Sequence, residues 1–113
     1  MNINQNNSLS NMRVTYDNTG TVVTDQSLVV AGTAVEMIAT ALNDATEYVL
    51  WTLSGGDALF TLDGSDPAGT EANGHLVQVG TDGVWDRKTA QDARWIRDSA
   101  VSARLHITEL QGK

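Results

Sequence analysis

The sequence predicts an all-β fold, an antiparallel β-sandwich or jelly-roll-like barrel of about eight short strands, on three observations. Runs rich in β-branched, aliphatic and aromatic residues last about five or six residues each, clusters of Gly, Asn, Asp and Ser return about every 8 to 12 residues, and no stretch keeps a long helical stripe. With 113 residues, 41% of them hydrophobic, the chain has material for one modest core, so residues 12–113 are expected to form a single β-sandwich domain.

Residues 1–11 are polar and asparagine-rich, too poor in apolar groups to stabilise themselves, and are expected to be a flexible N-terminal arm. A hairpin is expected next, from residues 12–16 (Met-Arg-Val-Thr-Tyr) through the Asp17-Asn18-Thr19-Gly20 turn to the β-branched residues 21–24. Residues 27–31 and 34–41 flank Gly32-Thr33. In the second of these runs Ala34, Met37, Ile38 and Ala41 fit a helical stripe and Val35, Met37 and Ala39 fit a strand; its β neighbours favour the strand. A turn at Asn43-Asp44-Ala45-Thr46 leads into a central hairpin, with residues 48–53 and 58–62 joined by Ser54-Gly55-Gly56-Asp57.

That pair carries large apolar groups on both faces, since side chains alternate along a strand. Such a hairpin needs cover from a second sheet on one side and from a loop, an arm or a partner chain on the other. The Asp63-Gly64-Ser65-Asp66-Pro67 turn, with the only proline, ends its second strand. After a loop through Gly69, Asn73 and Gly74, residues 75–79 alternate as a strand, and Val84-Trp85 forms a short extended piece before a polar stretch at 86–92. Residues 93–97 and 103–110 close the chain as a last hairpin about Asp98-Ser99-Ala100. There Leu105 and Ile107 point inward, and Arg104, His106 and Thr108 face solvent; a helix over 89–97 competes with the strand, and Trp95-Ile96 favour the strand.

A formal net charge of −7, from 14 acidic and 7 basic residues, repels phosphate backbones and anionic lipid, which sets nucleic acid and membranes aside as partners. Cysteine is absent, which excludes a disulfide framework, a thiolate nucleophile and a Cys-based zinc site. No run approaches the ~18 apolar residues of a membrane-spanning helix, and the first residues hold neither a basic segment nor an apolar core; synthesis in the cytoplasm as a soluble chain is expected.

Asp57, Asp63 and Asp66 supply three carboxylates on two loops, the ligand type calcium prefers, but the loops flank opposite ends of one strand and the residues suit turn capping. No metal site and no cofactor is expected. His75 and His106 are far apart in sequence and suit strand surfaces. Trp51, Trp85 and Trp95 would make a sugar platform if coplanar and exposed; packing in a core or an interface is the competing reading. The interface candidates are Trp51, Phe60, Leu62, Trp85 and Trp95. No residue pair supplies a nucleophile or acid with an evident partner, so an enzyme is not expected.

Two resemblances attach to these residues. Phe60-Thr61-Leu62-Asp63-Gly64-Ser65-Asp66-Pro67 is similar to the strand-turn of the immunoglobulin-like C-terminal module of chitobiase-type enzymes. A longer part, from Glu47 to Leu110, resembles small virion proteins of tailed bacteriophages. It comprises that strand-turn, Asn73-Gly74-His75-Leu76-Val77, Val84-Trp85, Ala93-Arg94-Trp95-Ile96-Arg97 and Ala103-Arg104-Leu105-His106-Ile107-Thr108-Glu109-Leu110. The second resemblance implies a β-sandwich that coats or joins parts of the capsid. With the β-only pattern, the missing catalytic groups, the polar arm and the two-sided apolar hairpin, the expectation is a decoration (cement) protein on the virion's capsid surface that binds the major capsid protein and stabilises its lattice. A head-to-tail connector or tail component, and a carbohydrate-binding β-sandwich module, are the alternatives. Self-association as a homodimer or homotrimer is expected from the two-sided apolar strands.

Overall fold

In the computed structural model, which describes residues 21–67 and 74–112, eight strands and one short helix follow in chain order. They are β1 (Thr21–Val30), β2 (Val35–Glu36), β3 (Tyr48–Ser54), β4 (Ala58–Thr61), β5 (His75–Val77), β6 (Asp82–Asp86), α1 (Arg87–Asp92), β7 (Arg94–Arg97) and β8 (Ala103–Gln111). The strands make two four-stranded antiparallel sheets, ordered β1-β8-β3-β6 and β2-β7-β4-β5. β1 pairs with β8, β2 with β7, β3 with β6 and β4 with β5, so the chain is one long antiparallel ribbon rolled over itself. This nesting is the jelly-roll arrangement, the second of the two architectures the strand spacing predicts.

The rolled ribbon overturns two expected hairpins. β3 and β4 lie in opposite sheets, β3 between β8 and β6, and β4 between β7 and β5; likewise β7 and β8 do not pair with each other. The turn signals are real, but each turn carries the chain from sheet to sheet. Gly55 sits at φ +85°, and a Cβ there would be 3.1 Å from the Ser102 carbonyl oxygen, while one at Gly56 would be 3.0 Å from that of Val101. The β3–β4 and β7–β8 connections therefore cross the same end of the sandwich pressed against each other. Leu50 and Trp51 on opposite faces of β3, and Ala58 and Leu59 on those of β4, are buried, so both strands are covered on both faces, and each also has a paired strand on either side.

Other boundaries shift for local reasons. Residues 21–30 form one continuous strand with a bulge between Val22 and Thr24, in place of two short ones. The expected upstream partner, residues 12–16, and the expected arm, residues 1–11, lie outside the described residues. In the 34–41 run only Val35–Glu36 is strand; Met37 then donates its N–H to the Ala93 carbonyl at 3.0 Å and buries its side chain. Leu62 falls just past β4, and β5 stops at Val77. Residues 87–92 form α1, because Asp86 caps its first turn by accepting from the Thr89 N–H at 2.8 Å. The expected strand at 93–97 is β7.

Alternation sets the core. Val30, Val49, Trp51, Leu53, Leu105 and Ile107 from the first sheet meet Ala58, Phe60, Val77 and Trp95 from the second, each large side chain contributing about 1.5–3 kcal/mol by leaving water. On the outer face of the second sheet, Leu59 and Ile96 are buried too. There Asp66 accepts from Arg94 at 3.0 Å, and a Cβ at Gly74 would touch both Leu59 and Pro67, so the chain flanking β4 folds back as cover. Thr108 corrects an expectation. It points outward as predicted, yet is buried, its hydroxyl donating to the Asp25 carboxylate at 2.5 Å.

Candidate functional site

Four of the five predicted interface residues come together, but between the sheets. Trp51 on β3 and Trp85 on β6 project inward from the first sheet, and Phe60 on β4 and Trp95 on β7, directly opposite one another, project from the second. Trp51 lies 5.1 Å from Trp85 and 5.3 Å from Trp95, ring centre to ring centre, and Phe60 lies 5.1 Å from Trp85 and 5.0 Å from Trp95. His75 on β5 adds a fifth ring, 5.1 Å from Phe60. Trp51 is 4% exposed and Trp95 fully buried, whereas Phe60 and Trp85 are half-buried. Leu62 stands apart, 42% exposed on the loop after β4.

The geometry assigns this cluster to packing. The Trp51 and Trp95 planes cross at 68° and the Trp51 and Trp85 planes at 58°, so no flat platform is presented to a sugar ring. Gly83 stands directly across from Trp51. A Cβ there would lie 2.9 Å from the indole, so a close backbone approach at Gly83 is what lets Trp51 lie flat against β6. Among the described residues the buried Trp51 and Trp95 indole N–H groups have no hydrogen-bond partner, as suits rings placed for packing.

The three candidate calcium ligands go separate ways. Asp57 accepts from the Val79 N–H at 2.8 Å, Asp63 from the Ser65 hydroxyl at 2.6 Å and its N–H at 3.0 Å, and Asp66 from Arg94. Hydrogen bonds from the Ser65 hydroxyl and then its N–H hold the Asp63 carboxyl below the ordinary carboxylate range; the Thr89 hydroxyl and N–H do the same for Asp86. Among the described residues no three His, Cys, Asp or Glu side chains are grouped to hold a metal ion. His106 is exposed on β8, between Ser27 and Thr52.

One polar constellation escaped the sequence reading. Glu109 follows Leu105 and Ile107 on the inward face of β8 and is 2% exposed. Its carboxylate accepts from the Asn43 N–H at 2.8 Å, the Thr46 hydroxyl at 2.7 Å and the Gln26 amide at 3.2 Å. From the other side Arg87 donates to the Asn43 and Thr46 carbonyl oxygens, both at 2.8 Å. An anion on the N–H side and a cation on the carbonyl side thus clamp one turn, residues 43–46. The period-two pattern that placed Leu105 and Ile107 inside also placed Glu109 inside, and that was the available signal. At the gap between the β1 and β2 edges, a shallow groove of about 500 Å³ is lined by Leu28, Ala34, Val35, Ala39, Glu36 and Arg94.

No protein-family model and no curated protein matches this sequence. Among solved structures it is similar to a cupin 2 conserved barrel domain protein from Salinispora arenicola, with 15% identity over 75% of this chain and 60% of that one, at a TM-score of 0.45. This chain thus spans about three-fifths of that protein. It is also similar to a Klebsiella pneumoniae protein with a double-stranded β-helix domain, at 12% identity over 83% of this chain and 76% of that chain and a TM-score of 0.45. A third likeness is to the Tobacco streak virus coat protein dimer, at 13% identity over 79% of this chain and 86% of that one, with a TM-score of 0.31. The strand order and register establish, for the described residues, a nearly all-β fold with two antiparallel sheets rolled as a jelly roll.

Proposed function

We propose that this chain is a virion structural protein, a capsid decoration (cement) protein of a tailed bacteriophage that binds the major capsid protein and stabilises its lattice. The observation that carries this reading is the filled interior: Trp51, Trp85, Trp95 and Phe60 occupy the space between the sheets where a larger barrel would hold a ligand, which leaves the outer surfaces to do the binding. The resemblance from Glu47 to Leu110 supports the virion assignment. Binding across neighbouring shell subunits stabilises them by closing several contacts at once, and the exposed Val79 and Val101 lie on two loops suited to it. Cryo-electron microscopy of the virion whose genome encodes the chain is the test. Density for the jelly roll repeated over the shell lattice supports the proposal, and its restriction to the portal vertex or tail would replace decoration by the connector role.

A further inference from the structure

We propose that β1 is a self-association edge, along which a second copy of this chain pairs antiparallel, centred on Gln26, to join two four-stranded sheets into one continuous sheet. Among the described residues β1 pairs on one side only, with β8. It is ten residues long, whereas the other sheet edges, β2, β5 and β6, have two, three and five. Long edge strands attract further strands unless charge or proline blunts them, and β1 holds a single charge, Asp25, and no proline.

The register of β1 selects its own complement. Asp25, Ser27 and Val29 stand opposite Thr108, His106 and Arg104 and share the outer face, while Thr24, Gln26 and Leu28 stand opposite Glu109, Ile107 and Leu105 on the inner face. The bulge at Val23 returns Val22 to the outer face, opposite Leu110. Directly opposed residues of an antiparallel pair share a face, so a two-fold axis through Gln26 sets Asp25 against Ser27 of the second copy and Thr24 against Leu28. Beyond the bulge, Val22 meets Val29. Those two valines, 50% and 48% exposed in the single chain, cover each other in this register. One Asp25 oxygen accepts from Thr108, which leaves the other for the Ser27 hydroxyl of the copy, whose oxygen already accepts from Arg104 at 3.3 Å. Centring on Asp25 instead would oppose two carboxylates, and centring on Ser27 would leave Val22 without a partner.

The test is disulfide capture in a chain with no native cysteine. Within one copy positions 22 and 29 are about 20 Å apart along an extended strand, far beyond the ~4.4–6.8 Å Cα separation of a disulfide. Oxidised Val22→Cys/Val29→Cys should therefore run as a covalent dimer on a non-reducing gel, and a mixture of the two single variants should cross-link while each alone does not. Light scattering of the full chain at tens of micromolar should give a dimer. Val22→Lys/Val29→Lys should weaken it by roughly tenfold, and Val22→Lys/Val29→Glu should restore it. A monomeric full chain, or cross-linking by Val29→Cys alone as strong as by the pair, overturns the proposal. So does a dimer that forms only after residues 1–16 are removed, which would show that the chain's own upstream segment covers the edge. These readings are made in solution without capsids, so they stand or fall separately from the decoration role.

Discussion

Replacing Glu109 by alanine should cost about 3–5 kcal/mol of folding stability, because its carboxylate accepts from two groups that fold the 43–46 turn onto the sandwich. The Asn43 N–H and the Thr46 hydroxyl reach it at 2.8 and 2.7 Å, and Thr46 is 2% exposed, so water has little access to replace the lost partner. Each hydrogen bond to a charged group is worth about 1.5–3 kcal/mol, and a small domain holds about 5–15 in total. The expected fall in Tm is thus on the order of 10–25 °C. Glu109→Gln should cost less, about 1–2 kcal/mol, by setting its amide N–H₂ against that of Gln26. Gln26 cannot flip freely, since it donates to the Thr40 carbonyl and accepts from the Thr40 N–H. Thermal unfolding of the three proteins, with amide exchange at Asn43, tests the chain of reasoning. A Glu109→Ala loss below about 1 kcal/mol, or unchanged protection at Asn43, would refute it.

Arg87→Ala should loosen the same turn from its carbonyl side, and combining it with Glu109→Ala should cost less than the two separate losses added, by denaturant titration. Gly83→Ala should destabilise by about 1–3 kcal/mol and alter the near-ultraviolet signal of Trp51, against which the new methyl would press. Trp95→Ala should cost about 3–5 kcal/mol as a core truncation, and fluorescence should report Trp51 and Trp95 as shielded from a soluble quencher. For pH, the folded-state values of Asp63 and Asp86 lie below the ordinary 3.8, so their contribution is complete above that pH and is lost as pH falls through the folded values. Stability measured by thermal unfolding should therefore decline on the acid side, and the acid-side loss of exchange protection at the α1 amides should be present in the parent and absent from Asp86→Asn, whose amide caps the helix without titrating.

The all-β class was legible because period-two alternation and turn composition are local properties, and they held at β3, β4, β5, β7 and β8. Strand partners were not legible. Gly55-Gly56 and Asp98-Ser99-Ala100 carry the composition of hairpin turns, and the same residues serve a crossing between sheets; which one forms is decided by tertiary pairing. The better clue was already in β3, where Trp51 and Leu50 on opposite faces are both buried, so the strand is covered on both faces by more than one hairpin partner can supply. Similarly, α1 was missed because a six-residue helix has no room for an apolar stripe, and its visible sign was Asp86 three residues before Thr89. The aromatic residues were read as interface candidates, with packing in a core or an interface left open, because a linear pattern cannot distinguish an intersheet core from an intermolecular interface. Burial separates them: Trp51 and Trp95 are inside, and Leu62 is not.

The most direct measurement of the decoration role is saturation binding of the purified full chain to capsids of the encoding phage prepared without it, read by co-sedimentation and by the temperature at which the shells open. The account predicts saturation in proportion to the shell subunits and a raised opening temperature, with a weaker effect after deletion of residues 1–11. Protein left in the supernatant at every concentration, with shells that open at an unchanged temperature, would contradict it.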